Sequence, residues 1–137
     1  MDVTQQREVD VVVIGGGSTG ENAAWYAPYY GLTAAVVEGE LVGGECSYKA
    51  CMPSKALLRL GEVLAAARRV PAATAAISGS VDVEKALASR DAFASNWDDT
   101  PKAGWLVGID VEIVRGPGQL PVNGASRWRP PTAAGSR

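Results

Sequence analysis

Apolar and polar positions fall in blocks along this chain, and the blocks predict strands alternating with helices. Glu8 to Ile14 is a short run rich in β-branched residues that ends at three glycines, the pattern of a parallel strand covered on both faces. Residues 20 to 30 favour helix through Glu21, Asn22, Ala23, Ala24, Trp25 and Ala27, with Pro28 expected to kink it or end it early. Gly31 supplies a turn, and residues 33 to 37 read as a second short strand closed by Glu38. Strand, helix and strand in about 30 residues make a βαβ unit, whose crossover is expected to be right-handed.

The strongest helical pattern runs from Pro53 to Val70. Ala56, Leu57, Leu60, Val63, Leu64 and Ala67 recur at near-helical spacing, Arg68 and Arg69 occupy the last turn, and Pro71 closes it. Residues 72 to 80 are small and irregular. Asp82 is placed to cap a further helix through Glu84, Leu87, Asp91 and Phe93. Asp110 to Val114 alternates as a strand with one wet face. From Arg115 onward glycine and proline recur without period, so most of that tail reads as loop or disorder. The fold class is α/β, built on a parallel sheet.

Composition narrows the function. A length of 137 residues predicts one core, and 47% hydrophobic with 20% charged residues is ordinary globular usage. A net charge of -2 gives no support for nucleic-acid binding. No apolar run approaches the roughly 20 residues that cross a bilayer, so no membrane association is expected. The first residues show neither a basic nor an apolar signal region, which points to the cytoplasm. Two cysteines and no histidine cannot fill a structural zinc site, so no metal is expected, and the commonest general base is missing.

Gly15-Gly16-Gly17-Ser18-Thr19-Gly20 matches G-x-G-x-x-G. In this pattern Gly15 permits the tight turn out of the strand, Gly17 lets backbone approach a pyrophosphate, and Gly20 lets helix and strand pack closely. The uncapped N–H groups of the helix start, with the helix dipole, favour an anion. Glu38, 18 residues past Gly20 at the end of the next strand, is placed to accept hydrogen bonds from ribose hydroxyls. Such an acid suits FAD or NAD better than NADP. The alternative is a structural loop beside a surface glutamate.

Cys46 and Cys51 form a second constellation. In an ideal helix residues five apart lie about 140° apart around the axis, with Cα atoms roughly 8.5 Å apart, beyond the approximate 7 Å limit for a disulfide. If the pair bridges, the backbone between must leave α geometry, and Pro53 marks a place for regular helix to begin. A strained bridge at a helix N-terminus has the features of a labile redox disulfide. The alternative is two reduced, part-buried thiols without chemistry.

These two motifs, in this order and at this separation, resemble the N-terminal FAD-binding segment of the class I pyridine nucleotide-disulfide oxidoreductases, which include dihydrolipoamide dehydrogenase, glutathione reductase and mercuric reductase. The family's Gly-Gly-Thr-Cys, a few variable residues, Cys, an apolar residue and Pro-Ser-Lys aligns with Gly43 to Lys55. The resemblance implies an incomplete Rossmann-like FAD-binding domain over residues 1–120, with a long helix after the cysteine motif, and an irregular tail at 121–137. It implies that Gly15, Gly17, Ser18, Thr19 and Gly20 hold the FAD pyrophosphate and Glu38 the adenosine ribose. Gly43, Gly44, Glu45 and Lys55 complete the cofactor site. Cys51 becomes the thiolate against the flavin, Cys46 the interchange thiol that meets a disulfide or metal-ion substrate, and Lys55 a cation near the reactive edge of the isoalloxazine. Outside that motif Lys55 reads as a solvated helix residue.

The chain departs from the family pattern at Glu45 in place of Thr, Tyr48 in place of Asn, Ala50 in place of Gly, and Pro28 inside the first crossover helix. A carboxylate at Glu45 should repel a phosphate unless it turns away. The family reaction also needs a second glycine fingerprint for NAD(P)H and a His–Glu pair from a partner subunit, and the sequence holds neither a second fingerprint nor any histidine. The expectation is therefore a truncated member of a homodimeric flavoenzyme, inactive as this chain alone. The reading set against it is a stand-alone nucleotide-binding module or a thiol sensor without turnover.

Overall fold

The computed structural model describes residues 7–120 and the short strand Arg127–Trp128, so most of the tail expected at 121–137 lies outside the described residues. The chain divides into two compact units, Met1–Gly44 with Asp99–Arg137, and Glu45–Asp98.

In the first unit three strands, β1 (Val11–Ile14), β2 (Ala34–Glu38) and β3 (Val111–Arg115), form a parallel sheet in the order β1-β2-β3. Helix α1 (Ser18–Tyr29) crosses from β1 to β2, and a helix named below leads into β3. Register explains the core: Val11 lies opposite Ala34 and Ala34 opposite Val111, and Val13, Val36 and Ile113 make the next row. Side chains two apart share a sheet face, so these rows form one apolar surface. Against it pack Ala24 and Ala27 of α1, together with Val42 and Leu106. The small alanines of α1 let the helix lie close on the sheet. Its outward face instead carries Trp25, Tyr26, Tyr29 and Tyr30, with Trp25 and Tyr26 ring centroids 4.7 Å apart.

The βαβ reading holds, with shifted ends. Helix α1 starts at Ser18, and it passes Pro28 to end at Tyr29. Pro28 lies in the last turn, where only one further residue depends on helical continuity, so the ring terminates the helix rather than bending it. Gly31, at φ 77°, then makes the expected turn. Strand β2 begins at Ala34 because Thr33 is tied to Asp10: the Thr33 N–H and hydroxyl both donate to the Asp10 carboxylate, at 2.8 and 2.7 Å. Strand β3 begins at Val111 because Asp110 takes a left-handed φ of 63°.

The second unit is helical. Helix α2 (Gly44–Tyr48) begins in the first unit and ends in this one; α3 (Cys51–Arg68) is the predicted long helix, displaced two residues toward the N-terminus, with Pro53 buried in its first turn. A proline there removes only an N–H that has no intrahelical partner. Pro71 does more than close α3, since it opens α4 (Pro71–Thr74), a turn within the segment expected to be irregular. Helix α5 (Val83–Phe93) packs along α3. Asp82 caps α5 as its position predicted, accepting from Lys85 N–H at 3.0 Å. A left-handed turn at Ser95–Trp97 follows and brings the Trp97 ring under the Arg90 guanidinium, 5.6 Å from the ring centroid. Much of the apolar stripe of α3 stays at the surface, with Leu57, Leu60 and Val63 all exposed. The chain returns to the first unit through α6 (Thr100–Val107), the helix that leads into β3; α2, α4 and α6 had no clear periodic signal. Past β3, Gly118 begins the short strand β4 (Gly118–Gln119), antiparallel to β5 (Arg127–Trp128). Among the described residues no helix is long and apolar enough to cross a membrane.

Two predictions follow from this packing. A Cβ on Gly20 would meet the Gly15 carbonyl oxygen at 1.9 Å, whereas one on Gly61, in the middle of α3, would meet nothing within 4 Å. Gly20→Ala should lower stability by about 1–3 kcal/mol, and Gly61→Ala should raise it by about 0.5–1 kcal/mol, in chemical denaturation. The carboxyls of Asp10 and Asp82 are both held below the usual 3.8, Asp10 chiefly by the Thr33 hydroxyl and Asp82 chiefly by the Lys85 N–H. A lowered folded value means a contribution present above the unfolded value and lost as pH falls through the folded one. Amide exchange at Thr33 and Lys85, corrected for intrinsic pH dependence, should therefore accelerate below pH 3.8, ahead of exchange in β2.

Candidate functional site

The site begins where β1 runs out of side chains. Gly15 keeps the ladder, donating its N–H to the Val37 carbonyl at 2.8 Å, and then turns at φ 95°, a conformation that any Cβ would strain. Gly17 is the N-cap of α1, and no side chain caps that helix among the described residues. Its first-turn N–H groups are therefore open to an anion.

Gly17 itself is informative. Its φ of -73° is available to any residue, and a Cβ built there meets nothing within 4 Å. Neither backbone strain nor packing inside the chain demands glycine at this place. A space kept clear against backbone at a helix N-terminus is what a closely approaching phosphate needs. Gly20 differs, since its contact with the Gly15 carbonyl shows that helix–strand packing alone accounts for it.

Glu38 reaches across from the end of β2. Its carboxylate accepts from Gly16 N–H at 2.6 Å and from Glu40 N–H at 2.7 Å, so it braces the glycine turn and the loop after β2 at once. A carboxylate has about four acceptor positions, so two backbone bonds leave capacity for the hydroxyls of a ribose. The half-buried side chain, the open helix start and the clear space at Gly17 together fit an adenine dinucleotide such as FAD.

The loop from Gly39 to Gly44 closes on the same turn. Gly43 N–H donates to the Gly16 carbonyl at 2.7 Å, and Gly17 and Gly43 form an isolated parallel bridge. Gly43 and Gly44 have φ of 116° and 60°. A Cβ on Gly44 would lie 2.8 Å from the Gly17 Cα, so backbone passes backbone here at a distance only glycine allows. Two side chains that sequence reasoning did not single out hold this loop from outside. Asp99 accepts from Val42 N–H at 2.7 Å and from the Arg115 guanidinium at 2.5 Å, and Arg115 also donates to the Glu40 carbonyl at 3.2 Å. Burial raises the Asp99 carboxyl, but the hydrogen bonds from Arg115 and Val42 outweigh it and leave the group below its usual range. Lone charged residues 16 positions apart carry no periodic signal, so only the fold brings them into view.

The first unit thus gathers Gly15, Gly17, Ser18, Thr19, Gly20, Glu38, Gly43 and Gly44, and the second unit holds the cysteine motif. Glu45 opens the second unit in the first turn of α2 and is exposed to solvent; its carbonyl takes the N–H groups of Lys49 and Ala50 at 2.8 and 2.7 Å, which ends α2. Cys46 lies in α2 and Cys51 opens α3, with Ala50 between the helices at φ -123° and ψ -87°. The backbone thus leaves α geometry between the two cysteines, the condition a bridge would require. Both are present as thiols, half-buried. Ser54 donates its hydroxyl to the Cys51 carbonyl at 3.1 Å, and Lys55 projects from the first turns of α3, exposed.

Comparison with known proteins agrees with this arrangement. The pyridine nucleotide-disulphide oxidoreductase family pattern matches residues 9–102, from β1 into α6. Dihydrolipoyl dehydrogenase of Bacillus subtilis is 56% identical over 61 residues, covering 44% of this chain and 13% of that protein. Dihydrolipoyl dehydrogenase of Rhizobium etli is 41% identical over 87 residues, covering 63% of this chain and 18% of that protein. The crystal structure of LpdA from Mycobacterium tuberculosis shares the fold, with a TM-score of 0.67 and 22% identity over 82% of this chain and 25% of that one. The matches span no more than about a quarter of the length of these relatives. With the glycine turn, the acid at the end of β2 and the cysteine motif all inside the matched residues, the chain belongs to the pyridine nucleotide-disulphide oxidoreductase family.

Proposed function

We propose that this chain is the flavin- and disulfide-bearing part of an oxidoreductase that passes electrons between NAD(P)H, FAD, the Cys46–Cys51 pair and a small disulfide. One observation carries the reading: the segment that leads into the cysteine motif is hydrogen-bonded to the glycine turn, Gly43 to Gly16, and Cys46 follows three residues later. A chain that ties a phosphate-type turn to a redox-type cysteine pair within one short loop matches the needs of a flavin disulfide reductase.

Bound FAD supplies the two-electron exchange between a nicotinamide hydride and a dithiol, chemistry that no side chain provides. The chain's own residues do the rest. Gly15 makes the turn into the helix start, Gly17, Ser18, Thr19 and Gly20 present backbone N–H groups to the pyrophosphate, and Glu38 accepts from the ribose hydroxyls. Gly43 and Gly44 keep bulk away from the cofactor, Glu45 turns its carboxylate to solvent, and Lys55 offers a positive charge to the flavin. Cys46, as thiolate, attacks one sulfur of a substrate disulfide; a mixed disulfide forms and one substrate thiolate leaves to take a proton. Cys51 then attacks the Cys46 sulfur, the bond to substrate breaks, and the second thiol departs with a proton. Two cysteine thiols are oxidised to one disulfide and one substrate disulfide is reduced to two thiols, so electrons and protons balance. The same steps reversed oxidise a dithiol. The non-helical backbone at Ala50 supports this role, because an unbroken helix would hold the cysteines beyond bridging range.

Two of the relatives carry the name dihydrolipoyl dehydrogenase, which favours a dithiol or disulfide over a metal ion as the substrate. The nicotinamide site, the acid–base pair for the interchange thiol and a homodimer interface belong, in this proposal, to further sequence, and this chain alone is expected to show no NAD(P)H-dependent turnover above free flavin.

The test is flavin retention. Purified with excess FAD and passed through gel filtration, the chain should emerge yellow, and reducing its disulfide with two electrons should produce a long-wavelength absorbance band; Cys51→Ser should lack the band, and Cys46→Ser should show it without reductant. Gly17→Val should weaken flavin binding about tenfold or more, since tight binding at a helix N-terminus depends on close backbone approach. The same variant should lower stability by only about 1 kcal/mol, the cost of a poorer N-cap residue, because a Cβ at this place meets nothing within 4 Å. Colourless protein with two freely alkylated thiols contradicts the proposal; bound flavin without the band leaves a nucleotide-binding module.

A further inference from the structure

We propose that Asp99 and Arg115 are positioning residues of the nucleotide site, acting through the loop after β2 to hold Gly43 and Gly44 against the glycine turn. The inference rests on the reading of Gly15 to Gly20 as that turn, and it assigns a role to two residues that touch neither it nor the cysteines.

Gly43 and Gly44 are consecutive residues at positive φ, with no side chains to pack, and such a pair loses more conformational freedom on ordering than any other. Their placement has to be imposed by neighbours. Val42 provides part of this, since its side chain is wholly buried in the sheet–helix core. Hydrogen bonds fix the rest: Val42 N–H donates to the Asp99 carboxylate, the Arg115 guanidinium donates to the Glu40 carbonyl, and Gly43 N–H donates to the Gly16 carbonyl. Asp99 and Arg115 are themselves joined, with the Asp99 side chain only 12% exposed.

The two partners come from rigid places. Asp99 is the N-cap residue of α6, and Arg115 ends β3 opposite Glu38 in the sheet register. The strand end that carries Arg115 therefore stands next to the acid proposed for the ribose, and Gly116 N–H bonds the Glu38 carbonyl at 2.9 Å. The ion pair holds the loop, while Gly116 N–H holds the acid's carbonyl and Gly43 N–H and the Glu38 carboxylate hold the turn. With the Asp99 carboxylate largely buried, its charge-assisted bond to Arg115 is stronger than a neutral one and sets the loop's resting position.

Native-state amide exchange on the full chain without nucleotide tests the clamp directly. Asp99→Asn and Arg115→Gln should each speed exchange at Gly43 and Gly44 by about tenfold or more, with Val36 and Val37 of β2 unchanged, while Arg115→Lys should retain part of the protection. Unchanged protection at Gly43 in both variants overturns the proposal. So does equal acceleration at Gly43 and in β2, which would make the pair a general stabiliser. In a second arm, Asp99→Asn and Arg115→Gln should weaken FAD binding by about tenfold, with Arg115→Lys partly restoring it. Full FAD affinity alongside lost Gly43 protection also overturns the positioning role. A wild-type chain that binds no FAD instead contradicts the nucleotide reading, and the exchange result then decides the clamp by itself.

Discussion

The close approach of two glycine-bearing segments governs the first unit. Gly43 bonds Gly16, and Gly44 passes Gly17 at a distance that leaves no room for a Cβ on Gly44. The loop segment therefore cannot stabilise itself there by burying side chains. The surrounding sheet and helices supply what the glycines cannot: β2 delivers Glu38 to one side of the turn, α1 starts on the other, and the loop is tied down by groups from α6 and β3. The architecture reads as a means of holding nearly bare backbone still, which is what a site for phosphate oxygens requires.

The same constraint gives the cysteine motif its place in the chain. The loop ends at Gly44, and α2 begins there, so the residues that close on the glycine turn are continuous with the helix that carries Cys46. A short helix, a break at Ala50 and a new helix at Cys51 form a sequence of local structures that regular α geometry could not give. Glu45 and Ala50, two of the three departures from the family pattern within this motif, do not prevent it: the Glu45 carbonyl ends α2 and Ala50 takes the non-helical conformation without being glycine.

What was legible in the sequence follows from how local its cause is. The strands β1 and β2, the crossover helix and α3 were written in apolar periodicity, and the Asp82 cap in one residue's position before a helix. The glycine roles divided: Gly15 and Gly20 follow from turn and packing geometry within a few residues, and the motif reading of Gly17 as room for a phosphate gains support from the empty space around it. Helix α6 was missed because Thr100-Pro101-Lys102-Ala103-Gly104 contains two poor helix formers and no apolar stripe of its own; it is ordered by burial of Leu106 against the sheet. The apolar stripe of α3 is legible as a helix to within two residues at each end, and it says nothing of burial: Leu57, Leu60 and Val63 remain exposed. Asp99 and Arg115 escaped notice because their partners lie far away in sequence, and long-range pairing leaves no trace in a local pattern.

If the two glycine segments and Glu38 form one nucleotide site, titrating the isotopically labelled chain with FAD should give saturable amide shifts concentrated at Gly15 to Gly20, at Glu38 and at Gly43–Gly44. Shifts confined to α3 and α5, or none at the glycine segments at saturating FAD, would rule that site out.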